Sequence, residues 1–264
     1  MRSLNKINFF GLSYQDKDQF FPRSYDLSVA EDIQDFHYEY YVLHAEGTLT
    51  RLLRRCMDGG EKPKANLGVV RVLCQLLMQR KSNVDDSFVD IIRNKNHQMI
   101  STLQRIIIQN SQEWLYRPVT KIDILSADPD VDKIMATSGP NLLGDASRKL
   151  KEKIPQSLFK LETIGEEEIS QIQIAIECTG KEPQQLLNGE LTNNLWILKP
   201  AGKSRGRGIT VVHSIQCIME HIRTMGSNSQ FVIQKYIENP LTIAGRKFDI
   251  RQWVMITGDG LSID

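Results

Sequence analysis

The stretch LWILKPAGKSRGRGITVVHSIQCIMEHIRTM, residues 195–225, decides the fold class that the sequence predicts. LWILKP and ITVV are rich in β-branched and aromatic residues, which is typical of strands, and a glycine-rich loop separates them. Ser214 then precedes an amphipathic run that ends just before Gly226, which predicts a helix with a serine N-cap. Downstream, QFVIQKYI and RKFDIRQWVMIT predict a third and a fourth strand. Together these segments predict an α+β fold, a mostly antiparallel sheet with packed helices.

The predicted fourth strand includes GRKFDIRQWVMI, residues 245–256, in which charged and apolar side chains alternate. Successive side chains of a strand point to opposite faces. One face would therefore carry Lys247, Asp249 and Arg251. The other face would carry Phe248, Ile250 and Val254, which we expect to anchor the strand to the core. The charged face is then either a solvated surface or one wall of a binding site.

Upstream of the sheet the sequence predicts mainly helices. The segment 28–60 has Ser28 as a candidate N-cap, ends at a pair of glycines and has Gly47 as a candidate break point. Apolar residues at helical spacing predict further helices over 66–81, 97–115 and 166–178. We therefore divide the chain into a helical N-terminal region at 1–116, a connecting region at 117–194 and the sheet region at 195–264.

Composition narrows the class of protein. The chain has 264 residues, 41% of them hydrophobic and 25% charged, so a folded globular protein is expected. No apolar run is long enough to span a membrane, and the N-terminus lacks the apolar core of a signal peptide. The spacing of the four cysteines fits neither a zinc site nor a disulfide framework, so we expect a reduced, cytoplasmic protein. The last residues open a hairpin without closing it, which leads us to expect a truncated chain.

Positive charge is concentrated in the sheet region. Residues 195–253 contain nine basic and three acidic residues, a net charge of +6, whereas the whole chain has a net charge of +1. This concentration favours an anionic ligand. A nucleic-acid partner is disfavoured because aromatic residues do not interleave with the basic ones and the overall charge is near neutral.

The loop KPAGKSRGRGI, residues 199–209, is the candidate anion-binding element. Its glycines would let backbone N–H groups approach an anion, and its arginines could add charge-assisted contacts. Two known phosphate-binding motifs fail here, since a P-loop would need glycine in place of Ile197 and a kinase loop would need glycine in place of Val211. Taken alone, the loop is a moderate signal, and a basic, flexible surface turn would be the commoner explanation.

The order of these parts raises the odds of a nucleotide site. WILKPAGKSRGRGI and VIQKYIENPLTIAGRKFDIRQW resemble the tubulin–tyrosine ligase-like family within the ATP-grasp superfamily, and FFPRSYDL at residues 20–27 resembles a family N-terminal segment. The SRGRGI loop is most similar to the glycylase branch of that family. The resemblance implies that residues 195–264 form part of an ATP-grasp domain whose second half is absent.

The family resemblance also implies roles for individual residues. The implied ATP contacts are Lys199, Arg205, Gly206, Gln234, Lys235, Tyr236, Ile237, Lys247, Phe248 and Asp249. Among them, the backbone of residues 234–237 would act as a hinge that reads the adenine edge. Arg205 would also lie near the acceptor peptide, and Arg251 would be catalytic by holding charge near the reacting carboxylate.

The implied reaction is the ATP-dependent ligation of free glycine to glutamate side chains in the acidic tails of tubulin. It would require Mg²⁺, with ligands expected beyond Asp264, and would place the protein at the cytoskeleton, including ciliary and flagellar axonemes. Microtubules would be the partner, with no nucleic acid and no membrane involved. Two alternatives stay open: a glutamylase or tyrosine ligase of the same family, and a non-catalytic fragment that binds tubulin or nucleotide.

Overall fold

The computed structural model describes residues 22–82, 102–127, 156–179, 194–203, 206–224, 230–238 and 240–250. Its helices are α1 (Ala30–Met57), α2 (Leu67–Ser82), α3 (Thr102–Gln109), α4 (Ser111–Trp114), α5 (Lys121–Ser126), α6 (Glu166–Glu177) and α7 (Ile215–Thr224), with a 3-10 helix at Gln156–Phe159. Helices α1, α2, α6 and α7 confirm the predicted ones where both are described, whereas the single helix predicted over 97–115 is divided at Asn110 into α3 and α4. No helix in the described part of the chain is long and apolar enough to cross a membrane.

Two details of α1 differ from the prediction. Val29 takes the N-cap position, because the backbone N–H and the hydroxyl of Ser28 instead donate to Asp26 Oδ1 at 2.9 and 2.5 Å. Gly47 does not break the helix, which runs without interruption from Ala30 to Met57. Gly47 is buried there with Leu43 and Leu49 on either side, so tertiary packing outweighs its low helix propensity.

In the part of the chain that the structure describes, six strands form two antiparallel sheets. The strands are β1 (Ser24–Asp26), β2 (Lys64–Ala65), β3 (Glu162–Thr163), β4 (Trp196–Pro200), β5 (Thr210–Val212) and β6 (Phe231–Lys235). The larger sheet has the order β1-β6-β4-β5, and β2 pairs with β3 in the smaller one. The predicted α+β class with an antiparallel sheet is therefore confirmed.

Strand β1 is a feature that the sequence did not predict. It comes from the N-terminal part of the chain and pairs with β6, so that Ser24 lies opposite Gln234 and Asp26 lies opposite Val232. The sheet thus draws one strand from before the first proposed domain boundary. The division of the chain at 117 and 195 stays a prediction.

The predicted fourth strand is wrong for the residues that the structure describes. Residues 241–250 lie outside the named strands, and one isolated bridge, Ile243 to Arg246, closes a tight turn through Ala244 and Gly245 at φ 49° and 73°. Phe248 and Ile250 are 41% and 80% exposed, so they do not anchor this segment to the core. One physical reason is that β1 and β4 already occupy both edges of β6. Val254 lies outside the described residues.

Helix α1 holds the sheet from one side. Trp196 is fully buried on the sheet, and its ring meets that of Phe36 from α1 edge-to-face at a centroid distance of 5.0 Å. Trp196 Nε1 donates to Asn194 Oδ1 at 2.9 Å, and Asn194 Nδ2 donates to the Tyr40 carbonyl at 3.0 Å. The Tyr40 hydroxyl donates in turn to the His213 carbonyl at 2.8 Å. These contacts fix the orientation of the sheet relative to the helices.

Candidate functional site

The four-stranded sheet has one buried face and one partly open face. Strand pairing places Ser24 opposite Gln234, Gln234 opposite Ile197 and Ile197 opposite Val211, so these side chains share the open face. Lys199, two residues after Ile197, lies on the same face. The buried face carries Trp196, Leu198, Phe231, Ile233 and Lys235.

A directed chain of hydrogen bonds crosses the open face. Lys199 Nζ donates to Gln234 Oε1 at 2.6 Å. Gln234 Nε2 donates to Ser24 Oγ at 2.8 Å and more weakly to the Pro22 carbonyl at 3.4 Å. The Ser24 hydroxyl donates to the same Pro22 carbonyl at 2.8 Å. The chain thus brings together Lys199 and Gln234, both of which were predicted from the sequence, and adds Ser24 from the N-terminal segment.

Lys199 keeps donor capacity for a ligand in this arrangement. An ammonium group has three N–H donors and no acceptor. Among the described residues, Gln234 is the one hydrogen-bond partner of Lys199 Nζ, and the side chain is half-buried at the end of β4. The structure therefore presents a cation at a fixed place with two N–H groups available to an anion.

Lys235 was predicted to contact ATP through its backbone, which stays a prediction, and its side chain is buried and paired within the protein. Its side chain is 4% exposed, and Nζ donates to Glu238 Oε1 at 2.5 Å and to the Leu195 carbonyl at 3.0 Å. Burial lowers the pKa of Lys235, and the hydrogen bond and charge of Glu238 oppose that shift. Glu238 Oε1 also accepts from the Leu195 N–H at 2.8 Å, so the ion pair holds the end of β6 against the start of β4.

Backbone N–H groups at two hinge positions are used within the protein. The Lys235 N–H donates to the Arg23 carbonyl at 2.8 Å, and the Tyr236 N–H donates to the Leu195 carbonyl at 3.1 Å. An adenine edge would therefore have to use other backbone groups of the hinge, such as its carbonyls. Ile237 is 38% exposed, which leaves its side chain accessible for the apolar contact predicted for it.

The glycine-rich loop is a tight turn at its described end. Gly206 and Gly208 have φ of 73° and 74°, and the Ile209 N–H donates to the Gly206 carbonyl at 3.3 Å. A Cβ on Gly208 would lie 3.3 Å from Pro200 Cγ, so both conformation and space require glycine there. Lys203 and Arg207 are exposed on this loop. Arg205, predicted to contact both ATP and the acceptor peptide, lies outside the described residues.

The segment after the hinge folds back so that Lys247 contacts Tyr236. Lys247 Nζ donates to the Tyr236 hydroxyl at 2.8 Å and lies 4.9 Å from the centroid of its ring. Phe248 and Asp249 follow on an exposed stretch of backbone. Their predicted contacts with ATP stay predictions, and the predicted catalytic Arg251 lies outside the described residues.

Sequence reasoning missed two residues of this site. Ser24 gave no signal beyond the resemblance of residues 20–27 to a family segment, because its role depends on a strand pairing across the length of the chain. Glu238 had a weak signal in the sequence, since it follows Lys235 by three residues in a region otherwise poor in acidic residues.

The described residues contain no group of three or more His, Cys, Asp or Glu side chains able to hold a metal ion. The four cysteines, Cys56, Cys74, Cys178 and Cys217, are free.

Comparison with known proteins identifies the class. Residues 146–263 match the Tubulin-tyrosine ligase family. Residues 146–263 are therefore similar to that family, as the motifs around the loop and hinge indicated. No solved structure matches the chain significantly.

The similar curated relatives are named as glycylases. Tubulin glycylase 3C of Tetrahymena thermophila is 33% identical over 256 residues, 92% of this chain and 24% of the relative. Tubulin glycylase 3A of Drosophila melanogaster is 47% identical over 76 residues, 28% of this chain and 8% of the relative. Tubulin monoglycylase TTLL3 of Mus musculus is 24% identical over 263 residues, 96% of this chain and 26% of the relative. The chain spans about a quarter of the length of the first and third relatives, and the predicted similarity to the glycylase branch is confirmed.

Proposed function

We propose that this chain supplies the nucleotide-facing part of an ATP-dependent ligase that joins glycine to glutamate side chains in tubulin tails. The names of the relatives support a tubulin substrate and a glycine product. The arrangement of side chains on the open face of the sheet supports the proposal that the chain binds a nucleotide. Such a ligase would act at the cytoskeleton, and ciliary and flagellar axonemes are the structures where we expect it.

The observation that carries the proposal is Lys199 on the open face. Its ammonium group is held at 2.6 Å by Gln234 and keeps two donors for phosphate oxygens. The exposed Lys203 and Arg207 add positive charge on the loop that follows β4. A fixed cation beside an exposed basic loop is a suitable arrangement for a triphosphate, which carries several negative charges.

The reaction would proceed in two transfers. The γ-phosphoryl group of ATP would pass to the glutamate carboxylate, with ADP leaving, and the glycine amine would then displace phosphate from the activated carboxyl group to form an amide. Lys199 would neutralise charge on the phosphates during the first transfer. Mg²⁺ would also neutralise charge on the phosphates in such chemistry.

A transfer assay tests the proposal. The ligase of which this chain would supply the nucleotide-facing part is incubated with tubulin, ATP, Mg²⁺ and either radiolabelled glycine or radiolabelled glutamate. Incorporation of glycine into tubulin is the expected result. Incorporation of glutamate would contradict the glycine assignment and support the glutamylase alternative, and incorporation of tyrosine in a third reaction would support the tyrosine ligase.

A binding assay separates an inactive nucleotide-binding protein from the absence of a site. Calorimetric titration with ATP, with and without Mg²⁺, is expected to show binding to the wild-type chain. Binding without transfer of any amino acid would support the non-catalytic alternative. Absence of binding under both conditions would contradict a nucleotide site in this chain.

A further inference from the structure

We infer that Ser24 is a positioning residue of the proposed nucleotide site, acting on Lys199 through the side-chain amide of Gln234. This inference rests on the proposed function for its consequence, since ATP is the ligand that Lys199 would bind. The geometry on which it stands is independent of that ligand. It assigns to the N-terminal strand β1 a role in the site and not only in the sheet.

The chemistry of the partners fixes the direction of the hydrogen-bond chain. Lys199 Nζ can only donate, so the group of Gln234 that lies 2.6 Å from it must be the amide oxygen. The amide nitrogen then points the other way, toward Ser24 Oγ at 2.8 Å. The hydroxyl of Ser24 is free to accept that bond because it donates its own proton to the Pro22 carbonyl at 2.8 Å.

The same partners explain why Ser24 matters for orientation. An amide side chain ends in a bond with broad rotational freedom, so its two ends must be held by different partners. Gln234 is 9% exposed, and an unpaired amide nitrogen there would lose solvation without compensation. Ser24 supplies the acceptor at short range, whereas the Pro22 carbonyl lies at 3.4 Å. Without the hydroxyl, the amide loses the partner that keeps its oxygen directed at Lys199.

Strand β1 is held in place independently of the Ser24 side chain. The Arg23 carbonyl accepts from the Lys235 N–H at 2.8 Å, and the Leu27 N–H donates to the Phe231 carbonyl at 2.9 Å. The guanidinium group of Arg23 forms an ion pair with Glu39 of α1. A change confined to the Ser24 hydroxyl should therefore alter the orientation of the amide and leave the strand paired.

The first test compares Ser24→Thr with Ser24→Val in calorimetric titrations with ATP. The two side chains are nearly the same size and are both branched at Cβ, and they differ in the hydroxyl. We expect threonine to retain wild-type affinity and valine to weaken it about fivefold, the net effect of one lost hydrogen bond. Ser28→Ala is the matched control, because Ser28 is exposed and its hydroxyl bonds to Asp26 outside the chain of contacts.

A double-mutant cycle separates positioning through Gln234 from a general effect on the strand. In a Gln234→Ala background, Ser24→Val should cause no further loss of affinity, because the intermediate group is gone. An equal loss in both backgrounds would overturn the inference. Equal affinity of the threonine and valine variants in the wild-type background would also overturn it.

A nuclear magnetic resonance measurement tests the inference without any nucleotide. Lysine labelled with nitrogen-15 gives a side-chain signal for Lys199, assigned by its loss in Lys199→Met. We expect that signal to shift in Ser24→Val and to keep its wild-type position in Ser24→Thr. An unchanged signal in both variants would overturn the inference. If the wild-type chain binds no ATP while the signal shifts as expected, the positioning contact stands and the proposed function fails.

Discussion

Lys199 and Lys235 lie on neighbouring strands of one sheet but on its opposite faces. Lys199 is half-buried on the open face and has an uncharged partner, Gln234. Lys235 is 4% exposed on the buried face and is paired with the carboxylate of Glu238. The family resemblance assigned both residues to ATP. The difference shows that the face of a strand, more than the type of residue, decides whether a cation is available to a ligand.

The largest expected effect on the free energy of unfolding comes from a change on the buried face of the sheet. Glu238→Ala would leave the ammonium group of Lys235 buried without its counter-ion and would remove the acceptor of the Leu195 N–H. We expect a loss of about 4 kcal/mol in the free energy of unfolding, measured by urea denaturation. Glu162→Ala is the control, since its ion pair with Lys160 is exposed and should contribute less than about 1 kcal/mol. Equal losses in the two variants would contradict the distinction between the faces.

Much of this sheet could be predicted from the sequence. Strands β4, β5 and β6 and helix α7 each have a local pattern of apolar residues, and that pattern was sufficient to predict each element. The buried position of Lys235 also had a signal, because it shares the parity of Phe231 and Ile233 in β6. The family resemblance assigned Lys235 to ATP through its backbone, which the burial of its side chain does not test.

Other features depend on contacts between distant parts of the chain. Strand β1 has three residues with no distinctive pattern, and it becomes a strand because β6 offers an edge. The segment 241–250 has the alternation of a strand but no strand partner within the described residues. A period of two is therefore insufficient to predict a strand here, where both edges of the preceding strand β6 are already occupied. The contact between Ser24 and Gln234 could not be predicted for the same reason.

The second prediction concerns the pH dependence of the free energy of unfolding, to which the buried His44 contributes. Burial, aided by the positive charge of Arg51, lowers the pKa of His44 on α1 to about 4 from its ordinary value of 6.5. The unfolded chain therefore binds a proton on this residue at higher pH than the folded chain does. The stability contributed by neutral His44 is complete above about pH 6.5 and is lost as the pH falls toward 4.

The loss attributable to His44 should reach up to about 3 kcal/mol, obtained as the difference between the wild type and His44→Phe in urea denaturation from pH 7 to 4. Phenylalanine suits the site because His44 stacks on Tyr40 and its Nε2 has no hydrogen-bond partner among the described residues. If the two proteins lose stability in parallel over this range, His44 is not the responsible group.

The smallest effect on stability is expected at the glycine-rich loop beside the open face. Gly208→Ala would place a Cβ 3.3 Å from Pro200 at a positive φ of 74° and should lower the free energy of unfolding by about 1 kcal/mol. Gly202→Ala is its control, because nothing lies within 4 Å of a Cβ there. Thermal unfolding of the two variants measures the difference. A larger loss in Gly202→Ala would contradict the described geometry of the loop.

Calorimetric titration of ATP into the wild type, Lys199→Met and Lys64→Met tests the central claim most directly. Lys199 lies on the open face, whereas Lys64 is an exposed lysine on the smaller sheet, so the two variants remove the same charge from different places. The account predicts that Lys199→Met weakens ATP binding about tenfold or more and that Lys64→Met leaves it unchanged. Equal affinity of Lys199→Met and the wild type would contradict the assignment of the open face as the nucleotide site.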